Sequence, residues 1–236
     1  MIDTLRRAAK KLPGAAVVYR RLSEAVFPDA RRRQRFRQYY TTNYWRTTES
    51  RSGPGSTLEQ TRVVREILPV LCREFAIGSI LDVPCGDLNW MQQVDLAGTN
   101  YIGGDIVPEL IVANREKFAN SNRDFIVIDI VRQVPPRADL VFCRDLFVHL
   151  PFADITSALE NLKRSGSQWL LTTTFEDRDK NDELHSDWRT LNFRLPPFSF
   201  PPPVRLINEN CSQEDGQYKD KSLGLWRLDD LDVPGA

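Results

Sequence analysis

The sequence predicts an α/β protein with a doubly wound sheet of seven strands, preceded by a basic helical arm. Two observations predict this fold. Between positions 79 and 174, short apolar segments alternate with segments of helical periodicity, which is the pattern of parallel βαβ units. After position 203, two strand-like segments follow without a helix between them, so they should pair antiparallel. The expected architecture is therefore Rossmann-like with an antiparallel last strand.

Composition places the 236 residues in the globular class, with 41% hydrophobic and 27% charged residues. No apolar run approaches the roughly 20 residues of a membrane-spanning helix, and the charged N-terminus does not resemble a secretory signal. The four cysteines are far apart and form no CxxC pair, which disfavours a zinc site or a disulfide framework. We therefore expect a cytoplasmic protein, and we assign no residue as a metal ligand, although the sequence leaves metal dependence open.

The net charge of zero conceals two oppositely charged parts. Residues 1–40 hold eleven basic and three acidic residues, a net charge of +8, so the remainder carries −8. We expect a helical arm over 1–50 and an α/β domain over 51–236. Basic arms bind nucleic acid, an anionic membrane surface or the body of the same protein, and the sequence leaves these partners open.

The arm should contain a helix over 5–27, ended by Pro28. After a loop at 50–56, Ser56 and Glu59 match a capping box, which predicts a helix from there to about position 75. The remaining expected elements are strands at 79–83, 101–106, 125–130, 139–143, 168–174, 204–208 and 222–228, and helices at 90–96, 108–118 and 152–163. The proline-rich segment 192–203 should be an ordered loop.

Four aspartates stand at or just after the ends of predicted strands, namely Asp82, Asp105, Asp129 and Asp145. In an open α/β sheet, ligands bind beyond the carboxyl ends of the strands, so these carboxylates should line one cleft. A single aspartate at such a place often only caps a helix or ends a strand. Four in register indicate a ligand site.

The residues around these aspartates favour a nucleoside ligand. Gly86 would let the backbone approach it closely, and Asp105, 23 residues after Asp82, has the spacing of an acid that binds ribose hydroxyls. Asp129 could accept a hydrogen bond from an adenine amino group. The dinucleotide fingerprint GxGxxG is absent, which disfavours an NAD-dependent oxidoreductase, and the acidic loop suits a cationic ligand without phosphate. S-adenosylmethionine is such a ligand.

The segments ILDVPCG (80–86), YIGGDI (101–106), FIVIDI (125–130) and DLVFCRDLFVHL (139–150) resemble class I S-adenosylmethionine-dependent methyltransferases over residues 57–229. With SGPGST (52–57), NFRLPPFSFPPP (192–203) and KSLGLWRL (221–228), the chain is similar to a bacterial, largely uncharacterised subgroup. The resemblance implies that Asp82 and Gly86 border the methionine moiety, Asp105 the ribose, and Asp129 with Ile130 the adenine. The loop departs from the family in having Pro84 and Asp87 where glycine is common. The expected cofactor-binding residues are Trp45, Ser56, Asp82, Pro84, Gly86, Asp105, Ile106, Asp129, Ile130 and Arg144.

Methyl transfer to a hydroxyl also needs a base, and Asp145 and His149 follow the fourth strand, where the acceptor should lie. Their spacing would place them on one face of a helical turn. His149 could instead be a packed histidine, and His185 is a rival base. Arg144 could orient an acidic group or simply pair with Asp145.

The resemblance implies that the acceptor is a small-molecule or sugar hydroxyl. The motif Asn/Asp-Pro-Pro-aromatic of nitrogen-methylating enzymes is replaced here by RDLF, which disfavours a nitrogen acceptor. Loop 52–56 begins a predicted helix and could receive the carboxylate of the cofactor, with Trp45 as a lid. Aromatic residues that could roof the pocket are Trp45, Trp188, Phe193, Phe198 and Phe200. Two alternatives stay open, a non-catalytic cofactor-binding module and an RNA methyltransferase that uses the basic arm.

Overall fold

The computed structural model of the chain describes residues 28–96 and 98–233, so the helix expected over 5–27 lies outside the described residues. The described chain contains one sheet of seven strands in the order β3-β2-β1-β4-β5-β7-β6. The strands are β1 (Ser79–Asp82), β2 (Asn100–Asp105), β3 (Arg123–Val127), β4 (Leu140–Cys143), β5 (Trp169–Phe175), β6 (Arg205–Asn208) and β7 (Lys221–Arg227). β7 runs antiparallel to both β5 and β6, whereas the other pairs are parallel. The predicted Rossmann-like sheet with an antiparallel last strand is confirmed.

The α-helices of the described chain are α1 (Pro28–Thr42), α2 (Arg62–Glu74), α3 (Pro108–Phe118) and α4 (Phe152–Arg164). The prediction for α3 is confirmed to the residue, and α4 ends one residue later than expected. Pro28 was expected to end a helix but begins one, a position where its missing N–H costs nothing. The helix expected over 90–96 is wrong, since this segment holds only a 3₁₀ turn at Met91–Gln93.

The capping box expected at Ser56 is also wrong, because α2 begins only at Arg62. Ser56 instead ends a 3₁₀ turn that starts at Pro54. The N–H group of Leu58 is 2.6 Å from the carboxylate of Glu49, and the side chain of Asn89 donates to the carbonyl of Ser56. The segment between Ser56 and α2 is therefore held by side chains from elsewhere in the chain, and the N–H of Ser56 donates to the carbonyl of Gly53.

The core lies on both faces of the sheet. α2 and α3 cover one face together with side chains such as Phe142 of β4, and α4 covers the other with the proline-rich loop. That loop is ordered as expected, since Phe193 stacks on Phe200 at 5.1 Å and Trp226 donates to a backbone carbonyl of the loop. None of the helices in the described part of the chain is both long and apolar enough to span a membrane.

Candidate cofactor and acceptor site

A cavity of about 430 Å³ lies at the carboxyl ends of the central strands. Its wall contains all of the residues that the sequence indicated as catalytic or cofactor-binding, namely Trp45, Ser56, Asp82, Pro84, Gly86, Asp105, Ile106, Asp129, Ile130, Arg144, Asp145 and His149. Residues of α1 that the sequence did not indicate, among them Arg32 and Phe36, form a further part of the wall. The topology therefore brings together side chains spread over more than a hundred positions of the chain.

Asp82 is the last residue of β1 and its side chain is buried. The hydroxyl of Tyr101 donates to its carboxylate over 2.5 Å. Burial raises the pKa of Asp82 to about 7, although the hydrogen bond from Tyr101 opposes the shift. This carboxyl is thus poised to ionise when a cationic ligand enters the cavity.

Asp105 ends β2 and organises the loop that follows β1. Its carboxylate accepts the backbone N–H groups of Gly86, at 3.3 Å, and Val107, at 3.0 Å. Burial raises the pKa of Asp105 to about 6, and the backbone hydrogen bonds act in the opposite direction. Gly86 has a φ of +53°, and a Cβ atom there would lie 2.3 Å from the Oγ atom of Ser52. Only glycine fits this backbone position without displacing the neighbouring loop.

Asp87 stands where the family loop commonly has glycine, and its carboxylate accepts hydrogen bonds from a neighbouring loop of this chain. It accepts the hydroxyls of Ser50 and Ser52 and the backbone N–H of Arg51, the last over 2.7 Å. In return, the N–H of Asp87 donates to the Oγ atom of Ser52. The acid after Gly86 therefore fastens loop 50–52 over the cavity.

Asp129 lies two residues beyond the end of β3, not within a strand as expected, because β3 ends at Val127. Its carboxylate binds the guanidinium of Arg32, with the Nη2 and Oδ2 atoms 2.7 Å apart. Arg32 also binds Asp154 at 2.8 Å and is itself buried. The predicted role of Asp129 toward adenine would have to be shared with this arginine. The sequence offers no local signal for Arg32 beyond its place in a basic segment.

Asp145 is half-buried and belongs to a charge cluster whose other members, Arg144, Glu209 and Lys221, are buried. The Nζ atom of Lys221 is 2.6 Å from Asp145, and a guanidinium nitrogen of Arg144 is 3.3 Å from it. Arg144 also binds Glu209 at 2.6 Å. Burial alone would raise the pKa of Asp145, but Lys221 and Arg144 hold it well below its ordinary value. Asp145 is consequently a weak base, and sequence reasoning missed Lys221 and Glu209.

His149 ends a 3₁₀ turn and lies half-buried in the same wall. Its Nδ1 atom is 2.5 Å from the backbone carbonyl oxygen of Asp187. Because a carbonyl only accepts, Nδ1 carries the proton and Nε2 is the basic nitrogen of the neutral ring. Burial lowers the pKa of His149, so the ring is neutral near pH 7. His185, the rival base, is exposed and does not line the cavity.

Aromatic side chains line the cavity beside these residues. Trp188 packs edge-on against Phe175 and Tyr218, with ring centroids 5.9 and 5.0 Å away. Trp45 lies 5.7 Å from the ring of His149. Among the aromatic residues expected to roof the pocket, Trp45 and Trp188 line it. Phe193, Phe198 and Phe200 of the proline-rich loop do not roof the pocket, because they are buried in the core.

Residues 81–166 match a family model described as a methyltransferase domain. Among solved structures, human N-acetylserotonin methyltransferase in complex with S-adenosylmethionine has 13% identity and a TM-score of 0.52, covering 94% of this chain and 65% of that one. The methyltransferase domain of bacterial CtHen1 has 12% identity and a TM-score of 0.52, covering 72% and 100%. CalO1, a methyltransferase of calicheamicin biosynthesis, has 17% identity and a TM-score of 0.50, covering 69% and 53%. These likenesses show a common fold, and this chain spans about 65% of the length of the human enzyme. No curated protein matches the sequence.

Proposed function

We propose that this chain is a class I S-adenosylmethionine-dependent methyltransferase and that it transfers a methyl group from S-adenosylmethionine to a hydroxyl of a small molecule or sugar. The observation that supports a hydroxyl acceptor best is the tautomer of the His149 imidazole. Its Nδ1–H is bound to a carbonyl, which leaves Nε2 to accept a proton in a cavity that also holds Asp82 and Asp105. An alcohol must lose its proton as it is methylated, whereas acceptors that are already anionic need no base.

The residues of the cavity fit the cofactor. Asp105 is a buried carboxylate without a cationic partner among its hydrogen bonds in the described chain, so it can accept from ribose hydroxyls. Asp82 supplies negative charge for a cationic ligand, and Gly86 lets the backbone come close. Ile106 and Ile130 offer apolar surface for a purine ring. Arg144 is already engaged by Glu209 and Asp145, so we assign it to holding the charge cluster together.

S-adenosylmethionine would supply an activated methyl group, whose carbon the acceptor oxygen attacks in line with the carbon–sulfur bond that breaks. The chain then has two tasks. Holding the two reactants in line can lower the activation barrier by roughly 7–11 kcal/mol. His149 removes the proton of the acceptor hydroxyl through Nε2, a task worth about 10²–10⁴-fold in rate for a well-placed base. Trp45, Trp188 and Tyr218 present ring surfaces on which a sugar or aromatic acceptor can pack.

Calorimetry with S-adenosylmethionine and S-adenosylhomocysteine tests the cofactor. We expect one molecule bound per chain and an affinity reduced about tenfold or more by Asp105→Ala, because charged hydrogen bonds to the ribose are lost. Asp179→Ala, which removes an exposed carboxylate, is the matched control. A chain that binds neither compound would refute the proposal.

Release of S-adenosylhomocysteine in the presence of sugars, phenols and small alcohols tests the acceptor. His149→Ala should lower turnover about 100-fold while calorimetry shows unchanged cofactor affinity. RNA and primary amines belong in the same panel. Methyl transfer to amines and to no alcohol would overturn the hydroxyl assignment, and methyl transfer to RNA alone would overturn the small-molecule or sugar acceptor. Binding without turnover on any acceptor would favour the non-catalytic alternative.

A further inference from the structure

We propose that Tyr44 and Asp187 are positioning residues that keep His149 in the tautomer whose Nε2 accepts a proton. The inference rests on the proposed function in one respect, the role of His149 as the base. It adds a link between that base and the segment that follows α1. Neither residue carries a motif in the sequence, and they are separated by 143 positions.

Both the backbone carbonyl and the side-chain carboxylate of Asp187 accept hydrogen bonds. Its backbone carbonyl accepts the Nδ1–H of His149 over 2.5 Å. Its carboxylate accepts the hydroxyl of Tyr44, with the Oη and Oδ2 atoms 2.5 Å apart. The hydroxyls of Tyr44 and Tyr39 both lower the pKa of Asp187, which places the Tyr39 hydroxyl close to this carboxylate as well. A side chain fixed in this way restrains the backbone of its own residue, so Tyr44, with Tyr39 beside it, holds the carbonyl against the imidazole.

The tyrosines are themselves anchored to the wall of the cavity. The rings of Tyr39 and Tyr44 stack with centroids 4.5 Å apart, and Trp45 packs edge-on against Tyr44 at 4.9 Å. Arg35 of α1 donates to the backbone carbonyl of His149 over 2.9 Å. Arg35 of α1 therefore contacts the backbone of His149, while Tyr44, just after α1, contacts Asp187, whose carbonyl binds the imidazole ring.

The tautomer decides whether His149 can act as a base. With the proton on Nδ1, the neutral ring offers a lone pair at Nε2, whereas the opposite tautomer would present an N–H group and could not take up a proton there. The charged groups that act on His149 are Asp145, Asp187 and Arg35, and within the described chain the Asp187 carbonyl is the fixed acceptor that its ring nitrogens meet. Loss of that carbonyl would therefore remove the preference.

Nitrogen-15 NMR of the imidazole rings tests the proposal without cofactor or acceptor. The chain has only two histidines, His149 and His185, so His185→Gln assigns the signals. At pH 8 we expect a protonated Nδ1 and an unprotonated Nε2 for His149. The double variant Tyr39→Phe/Tyr44→Phe should increase the Nε2–H form at least about threefold, since the hydrogen bond to the other nitrogen sets the tautomer.

Control variants separate positioning from folding. Tyr40→Phe removes a hydroxyl of the same helix that is not a partner of Asp187, and it should leave the tautomer unchanged. Asp187→Ala should reproduce the tyrosine double variant, while Asp187→Asn, whose amide oxygen still accepts from Tyr44, should restore the original signals. An Nε2–H form in the unaltered protein, or an Nδ1–H form that persists in the double variant and in Asp187→Ala, would overturn the proposal.

The outcome is separable from that of the proposed function. If calorimetry shows no cofactor binding, the methyltransferase proposal fails while the tautomer signals can still agree with the geometry. The cofactor could instead bind and His149→Ala abolish turnover, while substitution of Tyr44 or Asp187 leaves the tautomer unchanged. His149 would then remain the proposed base, and the positioning role of Tyr44 and Asp187 would be refuted.

Discussion

Arg32 and Asp129, which lie 97 positions apart, form a buried two-point ion pair beside the cavity. Nη2 is 2.7 Å from Oδ2 and Nε is 3.3 Å from Oδ1, and the side chains are 5% and 8% exposed. Arg32 reaches Asp154 of α4 as well. One guanidinium therefore ties α1 to the end of β3 and to the start of α4. The basic arm, from Pro28 onward, contributes to the wall of the site.

Truncation tests this attachment. A chain that starts at Pro28 should fold and bind S-adenosylmethionine, whereas one that starts after Thr42 should lose binding and melt at a lower temperature, because Arg32, Phe36 and Tyr39 are then missing from the wall. Thermal unfolding and calorimetry on both proteins measure the effect. Normal cofactor binding by the shorter chain would show that α1 is dispensable.

Replacing Arg32 alone leaves two carboxylates without their cation. We expect Arg32→Met to reduce the free energy of unfolding by on the order of 3 kcal/mol, since breaking a buried pair strands the partner charge. Arg33→Met, at an exposed position of the same helix, should change it by less than about 0.5 kcal/mol. Urea denaturation compares the two, and equal effects would contradict a structural role for the Arg32 pair.

Gly86→Ala should destabilise the protein and abolish cofactor binding. The left-handed φ of +53° costs about 1–2 kcal/mol for a residue with a Cβ atom, and that atom would in addition collide with Ser52. Gly98→Ala is the matched control, because Gly98 has a φ of +80° but no heavy atom within 4 Å of the place that a Cβ atom would take. Urea denaturation and calorimetry should show a larger loss at Gly86, and an equal loss would mean that the collision is relieved.

The affinity for S-adenosylmethionine should rise with pH between about 5 and 8. Burial raises the pKa of Asp82 to about 7 and that of Asp105 to about 6. The positive charge of the ligand favours the ionised form of Asp82, and ribose hydroxyls that donate to Asp105 favour its ionised form. Calorimetry in two buffers of different ionisation enthalpy should detect proton release at pH 6. Asp105→Asn should remove the part of this release that centres near pH 6.

The contribution of these two groups to the stability of the free protein should fall as pH rises, whereas the affinity for the cofactor rises. A carboxyl whose pKa is higher in the folded state stabilises that state fully below its unfolded value, near 4, and this contribution is lost as pH rises through 6 and 7. The difference in melting temperature between the unaltered protein and Asp105→Asn should therefore change across that window. A difference that is constant from pH 4 to 8 would contradict the shift at Asp105.

Lys221→Met should destabilise the protein on the order of 3 kcal/mol, because Asp145 and Glu209 each lose a buried cation. Lys221 helps to hold the pKa of Asp145 low, so the stability it gives is present at neutral pH and lost as pH falls. The cost of the substitution should shrink toward pH 2. Lys219→Met, at an exposed site nearby, is the control, and a cost independent of pH would contradict the coupling to Asp145.

The sheet was predictable because each strand is a short apolar run bounded by turn residues, and the aspartates at the strand ends were predictable because topology brings those ends together. Asp82, Asp105 and His149 line one cavity for that reason. Partners from distant segments were not predictable. Glu49 and Asn89 bind the backbone of Leu58 and Ser56, where a capping box was expected, and nothing near Asp129 indicates Arg32.

The roles within the site were harder to predict than its membership. Asp145 and His149 were equal candidates for the base by spacing, but charge separates them. Lys221 lies 76 positions after Asp145 and suppresses its basicity, whereas His149 meets a backbone carbonyl at its ring. Such effects depend on side chains that converge from β7 and from the loop at 187, and no local pattern encodes them.

The attachment of α1 also has a consequence for the order in which the protein assembles during synthesis. α1 leaves the ribosome before the sheet, but both carboxylates that bind Arg32 belong to later segments, the second of them 122 positions further on. Such distant contacts form late, since the chain between them must be closed first. The first helix of the described chain can therefore dock only after most of the sheet has been made. The part of the cavity wall that is synthesised first is thus the last to reach its place.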